Sequence, residues 1–219
     1  MDNLIASFLK IFFRLLYNQF AWSYDFVANL VSLGMWYQWV TSAIALLECG
    51  PVLELGFGTG RLLRELSCRG IAAIGVDRSM YMARLAMNNL LTCAVEPKLV
   101  NGFAPNLPFR SESFPRIAAT FPSEYIMERQ TILELWRVLS PGGRVVIIPT
   151  AWITGESLFH RLAAKLFQIT HQSPSEQLIE VTIAHFSNTW RAEGFVVQGS
   201  IIDLPKSKVM CIVAEKPQS

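Results

Sequence analysis

Residues 52–60 (VLELGFGTG) place three glycines at every second position directly after an apolar run that contains one acid. The apolar run, and the helical spacing of Leu62, Leu63 and Leu66 behind the glycines, predict a strand, a tight turn and a helix. Glycine lets the backbone turn sharply and approach a ligand closely, because no Cβ stands in the way. A helix that begins behind such a turn directs free N–H groups and a partial positive charge at the ligand.

An acid follows the second predicted strand at the distance expected for a nucleoside site. That strand covers residues 71–76 and ends at Asp77, 21 positions after Gly56. An acid about 20 residues beyond the first glycine can accept hydrogen bonds from ribose hydroxyls. A dinucleotide turn, G-x-G-x-x-G, would need glycine where Arg61 stands. The sequence therefore predicts a nucleoside site. It argues against a nicotinamide-dependent oxidoreductase, which ranks last of the three functions considered for this chain.

The pattern E-x-G-x-G-x-G from Glu54 to Gly60 resembles the first motif of class I S-adenosylmethionine-dependent methyltransferases. Residues 101–109 (NGFAPNLPF) resemble the segment after the third strand of that family, and residues 134–144 (ELWRVLSPGGR) resemble its passage into the fifth strand. The resemblance implies an α/β, Rossmann-like class I methyltransferase fold. Its sheet would have seven mostly parallel strands with an antiparallel last strand, helices on both faces and an N-terminal helical cap.

The same resemblance implies S-adenosylmethionine as cofactor, S-adenosylhomocysteine as product, and a set of cofactor-binding residues. The set is Tyr17, Tyr24, Glu54, Gly56, Phe57, Gly58, Gly60, Asp77, Arg78, Met80, Gly102, Phe103, Ala104, Thr120 and Phe121. Phe103 departs from the family, which has at this position an Asp that accepts a hydrogen bond from the adenine amino group. The base site is therefore expected to lack one acceptor.

The segment before the first strand is similar to the cap of the ubiquinone and menaquinone C-methyltransferases, in the order A-x-x-Y-D, N, S-L-G, W. The cap tyrosines of that family lie near the methyl donor, which makes Tyr24 the candidate lid residue and Tyr17 the second. Packing within the cap is the alternative for either tyrosine. The F-G-x-R-N segment of the quinone enzymes does not occur here, so the resemblance does not extend to their substrate.

Three residues are candidates for a catalytic role: Tyr24, Glu124 and Tyr125. Glu124 could orient or deprotonate a nucleophile if burial raises the pKa of its carboxyl, or it could only cap the following helix. Methyl transfer from a sulfonium disperses charge, so the protein's main tasks are positioning and water exclusion. Aromatic residues of the cap and of residues 150–190 favour a small lipophilic acceptor: Trp22, Trp36, Trp152 and Phe159.

The composition sets the class of protein and the domain organisation. With 219 residues, the chain is expected to form one structural unit: a helical cap at 1–48 and a core at 49–219 with a helical insertion at about 152–193. A net charge of +2 without a basic patch argues against nucleic acid. The four cysteines and three histidines lack metal-ligand spacing, so no metal site is predicted.

Two N-terminal segments raise the question of membranes. Residues 26–47 carry no charge, but polar residues interrupt them and they lead directly into the first strand, so cap helices are predicted rather than a membrane span. Residues 4–16 predict an amphipathic helix that lies either at a membrane interface or against the protein or a second copy. No signal peptide is evident. A cytoplasmic protein is predicted, with peripheral attachment to the inner membrane face left open, as is the choice between monomer and homodimer.

The alternative to a methyltransferase is a binding or regulatory protein that keeps the fold without catalysis. Phe103 at the usual acidic position is the feature that favours this alternative. The two hypotheses differ in whether a labelled methyl group reaches an acceptor.

Overall fold

The computed structural model describes residues 24–47, 50–91, 98–154 and 176–218. The helices α1 to α6 are Tyr24–Val31, Trp36–Thr41, Arg61–Cys68, Met80–Leu90, Arg129–Val138 and Glu176–Arg191. The strands β1 to β8 are Val52–Leu55, Ala73–Asp77, Lys98–Asn101, Phe114–Thr120, Leu139–Ile148, Ala151–Ile153, Val196–Leu204 and Ser207–Glu215. Short 3₁₀ helices cover Ile44–Leu46 and Glu124–Met127. The predicted helices at 4–16 and 157–171 lie outside the described residues.

The strands form one mixed sheet in the order β3-β2-β1-β4-β5-β8, with β7 on the outer edge of β8. Strands β1 to β5 are parallel, and β8 is antiparallel to β5. The predicted Rossmann-like class I methyltransferase sheet is thereby confirmed, as is its antiparallel last strand.

Strand β6 is an eighth strand that the sequence did not predict. It pairs with β8 at residues 207–209, beyond the point where β5 leaves the edge of β8. This pairing gives the backbone of residues 151–153 hydrogen-bond partners within the sheet. The segment in which a helical insertion was predicted therefore begins with a strand.

The two faces of the sheet carry separate apolar cores. One core joins residues such as Leu53 and Leu55 to helices α5 and α6, where Trp190 is fully buried. The other joins Val52 to helices α2 and α3. Side chains alternate along a strand, so Glu54 points to the same face as Val52.

Helix α2 and the 3₁₀ helix after it pack against the second core instead of standing apart from the sheet. Trp39 is buried there, and its indole Nε1 donates a hydrogen bond to Ser207 Oγ at 2.9 Å. Among the described residues, no helix combines the length and the apolar character that crossing a membrane requires. The predicted amphipathic surface at 4–16 is not part of the described chain.

Candidate functional site

A cleft of about 1370 Å³ opens at the carboxyl ends of strands β1 to β5. Ligands of open α/β sheets bind at this edge. Pockets for one small molecule usually measure about 300–1,000 Å³, so this cleft has room for a cofactor and an acceptor together. Most of the predicted site residues line it: Glu54, Gly56, Phe57, Gly58, Asp77, Arg78, Gly102, Phe103, Ala104, Thr120, Phe121, Glu124 and Tyr125.

The glycine turn after β1 adopts the backbone conformation for which its glycines are needed. Gly56, Gly58 and Gly60 have φ angles of 67°, 52° and 78°, a region that side chains with a Cβ rarely enter. A Cβ on Gly60 would also lie 3.0 Å from the Cβ of Ala86 in helix α4. Gly60 thus permits close packing of α3 on α4, whereas the space above Gly58 is open.

Asp77 joins the glycine turn to the end of β2. Its Oδ2 accepts a hydrogen bond from the Gly58 backbone N–H at 2.9 Å, and its Oδ1 accepts one from the Ser79 N–H at 2.8 Å. Ser79 then caps helix α4 as predicted, because its Oγ accepts from the Met82 N–H at 3.3 Å. A carboxylate offers about four lone-pair positions, so these two hydrogen bonds do not use all of the accepting positions of Asp77.

Asn101 supports this corner of the cleft, and it was not among the site residues predicted from the sequence. Its amide Nδ2 donates to the carbonyl oxygens of Asp77 at 3.1 Å and Arg78 at 3.0 Å. Asn101 thereby ties the end of β3 to the turn after β2. Its position one residue before Gly102, at the end of a predicted strand, was the only available signal.

Two predicted cofactor residues have other surroundings than expected. The side chain of Phe57 is buried, and its ring approaches Gly75 so closely that a Cβ there would lie 2.6 Å from Phe57 Cδ1. Only the backbone of Phe57 can therefore face a ligand. Met80 is 53% exposed and does not line the cleft. Of the two residues predicted to contact the base of the nucleoside ligand, Arg78 and Met80, only Arg78 therefore remains a candidate.

Two polar atoms are buried under the glycine turn without a hydrogen-bond partner among the described residues: Glu54 Oε2 and the Tyr125 hydroxyl. The Tyr125 hydroxyl lies 3.0 Å from where a Cβ of Gly56 would be. Burial, followed by the Asp77 carboxylate, raises the pKa of Glu54 well above its usual range, and the Leu63 N–H opposes this. Burial, followed by Asp77 and Glu54, also raises the pKa of Tyr125. Tyr125 is therefore a neutral hydroxyl that can donate a hydrogen bond.

The loop after β3 brings an exposed aromatic ring to the cleft. Phe103 is 48% exposed, and the Arg78 guanidinium carbon lies 5.5 Å from the centroid of its ring. This distance is within the range of a cation–π interaction. The Asn106 N–H donates to the Phe103 carbonyl at 2.9 Å and closes the loop into a turn.

The ion pair between Arg137 and Glu134 on helix α5 holds the loop after β3 in place. Arg137 donates to the Leu107 carbonyl at 3.0 Å and the Phe109 carbonyl at 2.7 Å, and it pairs with Glu134 through two hydrogen bonds of 2.8 Å. Glu134 Oε2 accepts the Leu107 N–H at 2.9 Å. The hydrogen bonds between the two side chains raise the pKa of Arg137 and lower that of Glu134.

We expect Arg137→Met to lower the free energy of unfolding by about 1–2 kcal/mol and to weaken S-adenosylhomocysteine binding several-fold. Two loop carbonyls lose their charged donor, so the loop that carries Phe103 becomes less fixed. Urea unfolding and calorimetric titration measure the two effects. The matched control is Arg129→Met, which breaks a pair with Glu193, a residue that follows helix α6. Equal effects of the two variants on binding would contradict the anchoring role.

The opposite end of the cleft has an aromatic wall made of Trp36 and Phe121. Their ring centroids are 4.5 Å apart, and Trp39 lies 6.4 Å from Trp36 in an edge-on arrangement. Phe121 adopts a φ of 49°, which is unusual for a bulky residue, and its N–H donates to the Ile148 carbonyl at 2.7 Å. Helix α2 and the end of β4, at Thr120, thus form one apolar surface.

Glu124 lies at the rim of the cleft in the first turn of the 3₁₀ helix, and its side chain is exposed. The burial on which a role as general base depended is not present in this structure. Glu128, which also lines the cleft and is exposed, was not singled out from the sequence. Glu124 can orient an acceptor by charge or hydrogen bonding from this position.

The aromatic residues predicted for the acceptor pocket, and the two cap tyrosines, have different positions in the structure. Trp152 was predicted to face the acceptor, but it is packed in the first core from strand β6, where its neighbour Ala151 lines the cleft instead. Trp36 does line the cleft. Tyr17, Trp22 and Phe159 lie outside the described residues, as does the side chain of Tyr24 at the start of α1.

Several known proteins with similar sequences or similar folds are methyltransferases by name. A family profile for a methyltransferase domain matches residues 52–143. The ubiquinone/menaquinone biosynthesis C-methyltransferase of Geotalea daltonii is 30% identical over 134 residues, 57% of each chain. The demethylmenaquinone methyltransferase of Lactiplantibacillus plantarum is 29% identical over 79% of this chain and 80% of its own. A Methanococcus maripaludis structure assigned as an S-adenosyl-L-methionine-dependent methyltransferase has a TM-score of 0.66 at 17% identity, covering 91% of this chain and 93% of that one.

The profile match includes the glycine turn, Asp77 and the loop with Phe103, which are the residues that form one end of the cleft. The chain spans little more than half the length of the Geotalea relative. The comparisons give no support to the alternative of a protein without catalysis, since both relatives are named as methyltransferases. The motifs, the sheet order and the relatives agree: residues 52–143 match a methyltransferase domain, and the chain is similar to class I S-adenosylmethionine-dependent methyltransferases.

Proposed function

We propose that this protein binds S-adenosylmethionine in the cleft and transfers its methyl group to a small lipophilic acceptor. The observation that carries the proposal is the pair of buried atoms without a hydrogen-bond partner among the described residues, Glu54 Oε2 and the Tyr125 hydroxyl, beside the glycine turn, where the space above Gly58 is open. Buried polar groups without partners are rare and call for a ligand or another explanation. A cofactor with an ammonium, a carboxylate and a sulfonium fits a carboxyl and a hydroxyl at this position.

The residues of the first three strands would hold the cofactor. The turn from Gly56 to Thr59 offers backbone close to the ligand, and the Asp77 carboxylate would accept hydrogen bonds from the ribose hydroxyls. Phe103 and Arg78 would lie against the base. When bound, the cofactor supplies an electrophilic methyl group on a positively charged sulfur.

The chain's own contribution to methyl transfer is orientation and exclusion of water. The aromatic wall of Trp36 and Phe121 would keep water from the acceptor side of the cleft. The Tyr125 hydroxyl can donate a hydrogen bond to the donor or the acceptor. Because charge is dispersed on transfer, such a dry site favours the reaction without a dedicated base. Tyr24 would cover the acceptor, and Glu124 would orient it.

The lipophilic acceptor is supported by the same wall and by the relatives. Beside Trp36 and Phe121, apolar residues of α1 line the cleft, among them Val27 and Val31. The relatives' names refer to ubiquinone, menaquinone and demethylmenaquinone. These names favour an acceptor with an apolar body, and the sequence's lack of the F-G-x-R-N segment leaves its ring chemistry open.

The test uses S-adenosylmethionine with a labelled methyl group and the full-length protein, incubated separately with extracted lipids and with polar metabolites. We expect label in a lipid fraction, and we expect Trp36→Ala to reduce that transfer while S-adenosylhomocysteine binding persists, because Trp36 lies on the acceptor side. Label confined to a polar metabolite would overturn the lipophilic acceptor. Cofactor binding without transfer to any fraction would overturn the proposed catalysis.

A further inference from the structure

The exposed ring of Phe103 is the feature of the cleft with the least obvious structural purpose. It is 48% exposed in a loop that is fixed from two sides, by the Asn106 turn and by Arg137 below. The Arg78 guanidinium lies over the ring and adds a second planar group. A large apolar side chain held in this position gives a flat surface for a ligand.

The same end of the cleft has few side-chain hydrogen-bond acceptors. Of the lining residues described there, Arg78, Gly102, Phe103 and Ala104 have none in their side chains, and the Ser79 hydroxyl accepts the Met82 N–H. Asp77 accepts two backbone N–H groups of the neighbouring turns. The loop can offer a base its aromatic face and its backbone N–H groups, but none of these four residues has a side-chain oxygen for an exocyclic amino group.

We propose that this protein recognises the base of its nucleoside ligand by stacking on the Phe103–Arg78 surface and does not read the 6-amino group. The inference rests on the proposed cofactor site. Stacking on an aromatic ring tolerates different bases, since every base has a π-face. Discrimination by a factor of 10⁴ or more requires a buried polar partner that the wrong ligand leaves unpaired; Gly102, Phe103 and Ala104 have no polar side chain, and Asn106 is exposed.

The test compares three ligands by calorimetry: S-adenosylhomocysteine, its analogue with hydrogen in place of the 6-amino group, and its N6-methyl analogue. All three keep the ring nitrogen acceptors, so only the 6-substituent differs. We expect the wild-type affinities to agree within about threefold. Phe103→Asp should prefer the 6-amino ligand over the 6-hydrogen ligand by about tenfold or more, because a carboxylate acceptor is restored.

Phe103→Leu is the matched control, since it keeps an apolar side chain of similar exposure without the ring. It should weaken all three ligands by one common factor of about fivefold or more. A wild-type preference above tenfold for the 6-amino ligand would overturn the inference, as would unchanged affinity in Phe103→Leu. Failure of folded wild-type protein to bind S-adenosylhomocysteine at all would overturn the proposed cofactor site, a result distinct from selective binding.

Discussion

Replacing Asp77 with alanine is expected to weaken S-adenosylhomocysteine binding by about a hundredfold or more. The carboxylate holds the Gly58 N–H and the Ser79 N–H, so its removal releases two neighbouring turns at once. It also removes the acceptor proposed for the ribose hydroxyls. Hydrogen bonds to a charged group contribute about 1.5–3 kcal/mol each, and losing the equivalent of one or two of them gives this effect.

Calorimetric titration of the wild type and the variant measures this loss. We expect wild-type binding in the micromolar range, about −8 kcal/mol. Asp203→Ala is the control, because Asp203 pairs with Lys208 on an exposed part of the β7–β8 hairpin and should leave binding unchanged. Retention of wild-type affinity by Asp77→Ala would place the ribose contact elsewhere.

Glu54→Gln is expected to remove the part of the pH dependence of the free energy of unfolding that comes from the Glu54 carboxyl. In the folded protein the pKa of Glu54 is raised well above the ordinary value of 4.5 by burial and by Asp77. The unfolded chain therefore loses this proton at lower pH than the folded one. Wild-type stability should be highest below about pH 4.5 as far as this group is concerned and should fall as pH rises through the raised pKa.

Each unit by which the folded pKa exceeds the unfolded one corresponds to about 1.4 kcal/mol of stability difference. Glutamine carries no charge at any pH, so Glu54→Gln should match the wild type in acid and exceed it increasingly toward neutral and alkaline pH. Urea unfolding at a series of pH values from about 4 to 9 measures this difference. A variant that is less stable than the wild type by the same amount at every pH would show that Glu54 is ionised when buried.

The local elements of the cofactor end were predictable because short stretches of sequence specify them. Three glycines at alternate positions require a turn with positive φ, and the structure has it at Gly56, Gly58 and Gly60. Ser79 after a strand predicts a helix cap, and that cap is present. The sheet order follows from the motif resemblance, and the short strand β6 escaped prediction because three residues carry too little periodicity.

The surroundings of individual side chains were decided only by tertiary structure. Trp152 was predicted to contact the acceptor, but the pairing of β6 with β8 places it in a core. Met80 follows the turn at Asp77 and Arg78 but does not line the cleft. The support of the Phe103 loop by Arg137 joins residues about 30 positions apart. The sequence by itself determined the glycine turn, the position of Asp77 and the strands that carry them, because neighbouring residues largely decide the local backbone conformation. Burial of Glu54 and Tyr125 without partners arises from packing between distant segments, so only the folded chain could reveal it.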